Sequence, residues 1–262
     1  MPAFLERSPP SRWHALNPLT KLIFATVTAL VGLIVGGLIG PLILVTVAVL
    51  LPASVAGVLS RLVRTSVLVS LPIAISTLLI NVFFFPGGQD VLLRLGPVVA
   101  TREGVSFALE ILARILTISG AITLFYLTTR PSELVLDLES RGVSPRVAFV
   151  AHASVQTVPA MLERASNIVA AQRARGLDTE GSLVRRIRGL LPVVAPVVLG
   201  SIVEVEERTL ALEARGFTRP GRRALLWFPA DSARQRAARW LLVSAVPAAA
   251  LAAAYGLLAW LP

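Results

Sequence analysis

Residues 22–60 read LIFATVTALVGLIVGGLIGPLILVTVAVLLPASVAGVLS, 39 residues without one charged side chain. As a single helix rising about 1.5 Å per residue, this run would be roughly 58 Å long, about twice the hydrocarbon thickness of a bilayer. It must fold back on itself, and Gly36-Gly37 with Gly40-Pro41 supply the turn. The run therefore reads as two membrane spans, 22–39 and 41–59, followed by a loop carrying Arg61 and Arg64. Two further charge-free stretches, 65–89 with 25 residues and 240–262 with 23, each exceed the about 20 that a spanning helix needs. They place a third span at 66–85 and a fifth at 240–260. A fourth at 104–127 lies between them, interrupted only by Glu110 and Arg114. Residues 86–101 read as a loop, and the nearby Asp90, Arg94, Arg102 and Glu103 cancel in charge.

The composition agrees with this architecture. Of 262 residues 55% are hydrophobic and 15% charged, against about 45–50% and about 25% in a soluble domain. The expected fold is all-α, a polytopic membrane protein of about five transmembrane helices with a cytoplasmic coupling region of long crossed helices. Residues 1–129 would hold four spans, 130–239 the coupling region at the cytoplasm and membrane interface, and 240–262 the last span. A cleaved signal peptide is a poor reading, since the first apolar run lacks an A-x-A-like exit.

Several chemistries fall away. There is no cysteine, so disulfides, thiolate nucleophiles and Cys-ligated metals are excluded. Lys21 is the one lysine and follows Asn17-Pro18-Leu19-Thr20, with no glycine-rich loop ahead of it, so the chain holds no phosphate-binding loop of its own. Before an apolar helix such a lysine is expected to snorkel to the interface. His14 and His152 are the only histidines and lie far apart, which speaks against a triad or a metal site. His152 is expected to serve as a hydrogen-bonded packing residue on a helix. Glu110 and Arg114, four apart, share a helix face and are expected to pair; a proton or ion relay would recruit more ionisable groups.

Between residues 130 and 239 the chain carries 17 Arg against 11 Asp and Glu, a net charge of +6. Positive charge stays on the cytoplasmic side of spans. The N-terminal arm, the Arg61/Arg64 loop and the Arg-rich region then share the cytoplasm, with the C-terminus opposite. Two moderately apolar stretches in this region, 147–162 and 190–203, are too short to span. Inserting them would also carry Arg164, Arg173, Arg175, Arg185, Arg186 and Arg188 outside, against the same rule. They read as the apolar halves of long helices at the cytoplasmic face.

Each of those helices continues into a charged half and stops at the same tripeptide. The first runs from about Pro145 through Pro159 to Ala174-Arg175-Gly176; the second runs from about Gly189 through Pro192, Pro196, Glu204 and Arg208 to Ala214-Arg215-Gly216. Glycine past a helix end supplies a left-handed cap, and arginine in the last turn suits the negative end of the helix dipole. Capping accounts for one such ending. Two identical endings on helices of some 40 Å read as a pair of levers built to receive force. The interior prolines are expected to bend them. Glu204 and Arg208 are spaced for a helical ion pair.

On these residues the chain resembles the transmembrane T component of energy-coupling factor transporters, the ABC-class importers of vitamins and transition-metal ions. Leu16 to Leu22 is similar to the family's lead-in to its first span, 131–141 to its short coupling helix, 159–176 to its first long coupling helix and 188–216 to its second. The resemblance implies a non-catalytic subunit that joins one substrate-binding membrane S component to two ABC-type ATPases. Ala174, Arg175, Gly176, Ala214, Arg215 and Gly216 would be the ATPase-docking residues. No cofactor or metal would be bound directly, since ATP and Mg²⁺ are used by the partner subunits. The implied location is a bacterial or archaeal inner membrane, multi-pass, with the N-terminus in the cytoplasm.

Three rivals are weaker. A membrane enzyme of lipid or phosphoryl chemistry would want clustered acids for Mg²⁺, and the acids here are mostly interleaved with Arg. A self-contained carrier or channel should show polar or broken helices at mid-membrane, for which only Glu110 and Arg114 speak. Nucleic-acid binding lacks the aromatic interleaving that stacking requires, so no nucleic-acid partner is expected.

Overall fold

The structure, a computed structural model, describes residues 11–86, 90–95, 98–176, 183–217, 219 and 229–255; for 95, 98 and 183–192 it describes the backbone alone. The Ser8-Pro9-Pro10 arm, Gly87-Gly88, the side chains of Arg185, Arg186 and Arg188 and the expected end of the last span at Trp260 lie outside the described residues. The described chain is nearly all helical and divides into two compact units, Met1–Leu138 with Phe228–Pro262, and Glu139–Trp227.

The first unit opens on α1 (Pro18–Ile34), where Asn17 caps the helix by accepting from the Leu19 amide at 3.0 Å and Pro18 takes the first helical position. The helix stops at Ile34, five residues short of the expected span, because the chain turns at Gly36 and Gly37, the latter at φ 73°. The next apolar helix is continuous in three parts: α2 (Ile39–Leu44), a wide π-helical turn (Val45–Leu50) and α3 (Leu51–Val55). The wide turn lies just ahead of Pro52, which lacks the amide hydrogen that regular helical pairing needs. Gly57, at φ 69°, ends this segment.

The helix that follows, α4 (Leu59–Phe84), begins seven residues before the expected third span and contains Arg61 and Arg64 in its first turns, so those arginines are helical and not loop residues. Where residues 86–101 read as a loop, two short strands pair instead, β1 (Val91–Leu95) and β2 (Val98–Thr101), antiparallel with Leu93 opposite Ala100 and Leu95 opposite Val98. Their Val and Leu content suits a strand pair. Then come α5 (Arg102–Thr128), α6 (Pro131–Ser140) and, after the second unit, α9 (Ala233–Ala254), which starts seven residues ahead of Trp240.

Among the described residues three helices are long and apolar enough to cross a membrane, α4, α5 and α9, while α1 and Ile39–Val55 are apolar but shorter. Helix α5 is central, packing against α1, the Ile39–Val55 segment and α4. Its buried residues are mostly small, Gly104, Ala108, Ala113, Thr117, Gly120, Ala121, Thr123 and Thr128, with Leu124 among them. Lipid tails are as apolar as leucine, so membrane helices associate by close approach at such small residues. A methyl group added at Gly120 would lie 2.7 Å from Val49 Cγ1, one added at Gly32 would lie 2.9 Å from Thr117 Cγ2, and at Gly104 it would meet the Asn81 carbonyl. Around these contacts Ala25, Val49, Ala53, Ala56, Val58, Leu62, Ala121 and Leu124 form the apolar core.

The second unit is built on two long helices, α7 (Pro145–Ala174) and α8 (Leu183–Ala214). Ser144 caps α7 by accepting from the Val147 amide at 3.4 Å, ahead of Pro145. Helix α8 starts six residues earlier than expected. The pairs that join the two helices, Arg164 with Glu204 and Thr157 with Arg208, show that they run antiparallel.

Candidate functional site

Both expected helix tips are present in the second unit, and each is followed by a glycine with positive φ. Helix α7 ends at Ala174; Arg175 closes the last turn and Gly176 follows at φ 87°, with the Gly176 amide donating to the Arg173 carbonyl at 3.0 Å. Helix α8 ends at Ala214, and Gly216 stands at φ 70° with its amide on the Glu213 carbonyl at 2.8 Å. There the Phe217 amide also reaches back to the Leu212 carbonyl at 2.9 Å, the long-range bond of a Schellman cap. Phe217 then packs on Phe149 at a centroid separation of 5.0 Å. Both glycines are needed for their left-handed conformation, not for room, since a side chain at either would meet nothing within 4 Å.

The antiparallel arrangement puts these tips at opposite ends of the pair. Phe149, opposite Phe217, sits at the start of α7, and Arg175 is 26 residues further on, roughly 40 Å at the helical rise. Ala174, Arg175, Gly176, Ala214, Arg215 and Gly216 are all exposed. Among the described residues neither Arg175 nor Arg215 has an ion-pair partner, so two guanidinium forks are presented with their planar donors open.

Glu204 holds the helices together between those tips. One of its oxygens accepts from Arg164 Nη2 at 2.7 Å across the pair, and the other from Arg208 Nη2 at 2.9 Å one turn along α8. The i,i+4 partner was legible from spacing, whereas the Arg164 bridge was not. The hydrogen bond from Arg164, with further help from both arginine charges, holds the Glu204 carboxyl below the usual carboxylate range. A depressed folded-state value means that the contribution of the triad is complete above the ordinary carboxylate pKa and is lost as pH falls through the lowered one. A spin-label distance between α7 and α8 should therefore stay constant from neutral pH down to the ordinary carboxylate range and broaden only below that range. Glu204→Gln should show the broadened distribution already at pH 7.

The first unit carries a buried polar cluster that sequence spacing did not reveal. Lys21 does not snorkel: it is 2% exposed, and its ammonium donates to the His14 carbonyl at 3.1 Å and to the Thr128 carbonyl at 3.0 Å. Thr128 is the last residue of α5, so these bonds satisfy a carbonyl at a helix end. Burial first, and the Lys21 charge second, push the His14 pKa below its usual value. Asn17, 1% exposed, donates from Nδ2 to Asp137 Oδ1 at 2.7 Å, and its amide donates to Gln235 Oε1 at 2.8 Å. Arg239 forms a two-pronged pair with Asp231 at 3.0 and 2.8 Å and also donates to Thr20 Oγ1 at 3.0 Å. The ties of Lys21 to Thr128, of Asn17 to Asp137 and Gln235, and of Thr20 to Arg239 each cross more than 100 residues, so no local pattern marks them.

Glu110 and Arg114 pair as expected, and Glu110 Oε1 also accepts from the Gly37 amide at 3.0 Å. The pair thus pins the α1–α2 turn, which favours its structural role over a relay. His152 Nε2 lies 2.9 Å from the Gln156 side chain one turn on. Among the described residues no group of three or more His, Asp or Glu is placed to hold a metal ion.

The family model CbiQ, described as cobalt transport protein, matches residues 10–225. The energy-coupling factor transporter transmembrane protein EcfT of Limosilactobacillus fermentum is 32% identical over 169 residues, 60% of this chain and 63% of that protein. The protein of the same name from Listeria innocua is 31% identical over 195 residues, 71% of this chain and 69% of that protein, and the one from Streptococcus equi is 34% identical over 151 residues, 54% and 55%. The matched part spans between about half and two-thirds of these relatives. With the family model covering most of its length, the chain belongs to the CbiQ family, the transmembrane T components of energy-coupling factor transporters.

Proposed function

We propose that this chain is the coupling subunit of an energy-coupling factor importer for a vitamin or a transition-metal ion. It links ATP hydrolysis in two ABC-type ATPases to movement of one substrate-binding S component. The observation that carries the reading is the repeated tip: the same exposed Ala-Arg-Gly ending closes both α7 and α8, at opposite ends of an antiparallel pair. One compact partner would meet one tip, whereas two copies or two related chains would meet both alike. At each tip the guanidinium supplies a fork for a carboxylate or backbone acceptor, and the glycine gives a partner surface close access to the backbone. When ATP brings the ATPases together, the tips are drawn with them, and α7 and α8 turn the surface that holds the S component. Chemistry on ATP and Mg²⁺ belongs to the partners.

Affinity purification of the tagged chain from its own membrane, with mass spectrometry of what accompanies it, tests this reading. ABC-type ATPases and a small membrane protein should be recovered together. Recovery of a folded chain alone would turn the reading toward a self-contained carrier.

The orientation that goes with this function puts the N-terminus and both tips in the cytoplasm of a bacterial or archaeal cell, on the strength of the arginine bias. The chain has no cysteine, so single cysteines introduced at Arg175 and at Val91 can be probed in intact cells with an impermeant maleimide. Labelling is expected at position 91 alone; labelling at 175 would invert the topology.

A further inference from the structure

The buried polar cluster of the first unit has a position that its chemistry alone does not explain. The chain leaves this unit after Leu138 and returns at Phe228. Asp137 is the second-last residue before the exit, and Asp231, Gln235 and Arg239 follow the return within eleven residues. All four are tied, directly or through one another, to a single helical turn, Asn17 to Thr20 at the start of α1. Asn17 does three things there: Oδ1 caps α1, Nδ2 holds Asp137 on the outgoing side, and the backbone amide holds Gln235 on the returning side. Thr20 repeats the tie, accepting from Arg239 at 3.0 Å and donating to Gln235 at 3.4 Å.

A lever works only if its mount does not give. A segment joined to a membrane scaffold by two free connections would swing on them when pulled, and the pull would be absorbed by the connections. We infer that the Asn17-to-Thr20 turn is a positioning anchor which clamps both connections of the Glu139–Trp227 segment to the membrane helices, so that force on that segment is transmitted rather than dissipated. The inference rests on the coupling role proposed above. The side chains suit a stiff mount: Asn17 and Asp137 are each 1% exposed and Arg239 7%, and buried hydrogen-bonded networks of this kind resist slow rearrangement because each broken bond leaves an unpaired polar group.

The test exploits near-identity of shape. Asn17→Asp keeps an equally good helix cap but sets two carboxylates against each other where an amide met Asp137. Adding Asp137→Asn restores one donor and one acceptor in reversed order. In proteoliposomes holding the complete transporter, the readout is substrate moved per ATP hydrolysed, which a loss of folded protein alone does not change. Asn17→Asp is expected to lower that ratio about tenfold or more while the ATPases still co-purify, and the double exchange is expected to restore it to within about twofold of wild type. Thr20→Val, which loses both side-chain bonds without changing shape, should lower the ratio as well and serves if Asn17→Asp does not fold. An unchanged ratio in a correctly assembled Asn17→Asp or Thr20→Val complex would overturn the anchor. So would a double exchange that assembles but stays uncoupled. A second readout does not depend on any partner: in the isolated chain, amides of 131–141 and 229–239 should exchange faster with deuterium in Asn17→Asp and return to wild-type rates in the double exchange. If the ATPases are never recovered with the wild type, the coupling role fails, while this exchange measurement still decides whether the clamp exists.

Discussion

Arg175→Glu combined with Arg215→Glu is expected to release the ATPases from the complex and to abolish uptake while leaving the chain folded in the membrane. Each arginine is exposed, and each glycine beside it faces open space, so neither replacement disturbs packing. The loss is one of partner contact. Removing one side of a buried charge-assisted contact costs about 2–5 kcal/mol of association, which is roughly 30-fold to several-thousand-fold in Kd for each tip. Charge reversal adds repulsion to whatever acidic groups face the arginine. Arg→Lys at either position should fall between, because lysine keeps the charge but not the planar fork. Pull-down of the ATPases with each variant reads the effect directly. A double reversal that holds its ATPases as wild type does would remove the tips from the docking surface.

The second large effect lies inside the membrane bundle. Gly120→Ala would place a methyl group 2.7 Å from Val49 Cγ1, where Val49 is 1% exposed and shares the buried core with Ala121 and Leu124. Overpacking of this sort costs about 1–3 kcal/mol, and here it separates α5 from the segment that carries the wide turn at Val45–Leu50. Thermal unfolding in detergent should show a clear fall in midpoint. Shortening the opposing side chain relieves the clash, so Gly120→Ala with Val49→Ala should be less destabilised than the sum of the two single changes. Strict additivity would mean that α5 and the Val45–Leu50 turn do not meet as described.

Much of the architecture could be read from the chain because its strongest signals are local. The uncharged run of 39 residues folds back on itself at Gly36 and Gly37, the latter with the positive φ that favours glycine, whereas Gly40 and Pro41, read as part of the same turn, lie inside α2. The two tips were equally legible, since an identical tripeptide after a long periodic stretch is visible without knowing any contact. What escaped was of two kinds. Boundaries moved where a helix carries charge at its end: α4 takes in Arg61 and Arg64, and α9 takes in Arg234, Arg236 and Arg239, because arginine is a good helix former and hydropathy marks only the apolar part of a helix. Long-range polar partnerships left no trace either. Asn17 with Asp137, Thr20 with Arg239 and Arg164 with Glu204 pair across 120, 219 and 40 residues, and composition would as readily have left each of them to water. Lys21 is the clearest instance, an amine expected at the interface that instead serves two backbone carbonyls in the interior.

The central claim is that each tip engages one ATPase, and the stoichiometry of the intact complex tests it most directly. Native mass spectrometry of the detergent-purified assembly should show two ATPase chains on one copy of this chain in the wild type, one in Arg175→Glu or in Arg215→Glu, and none in the double variant. A wild-type complex with a single ATPase, or single-tip variants that keep both, would contradict the account.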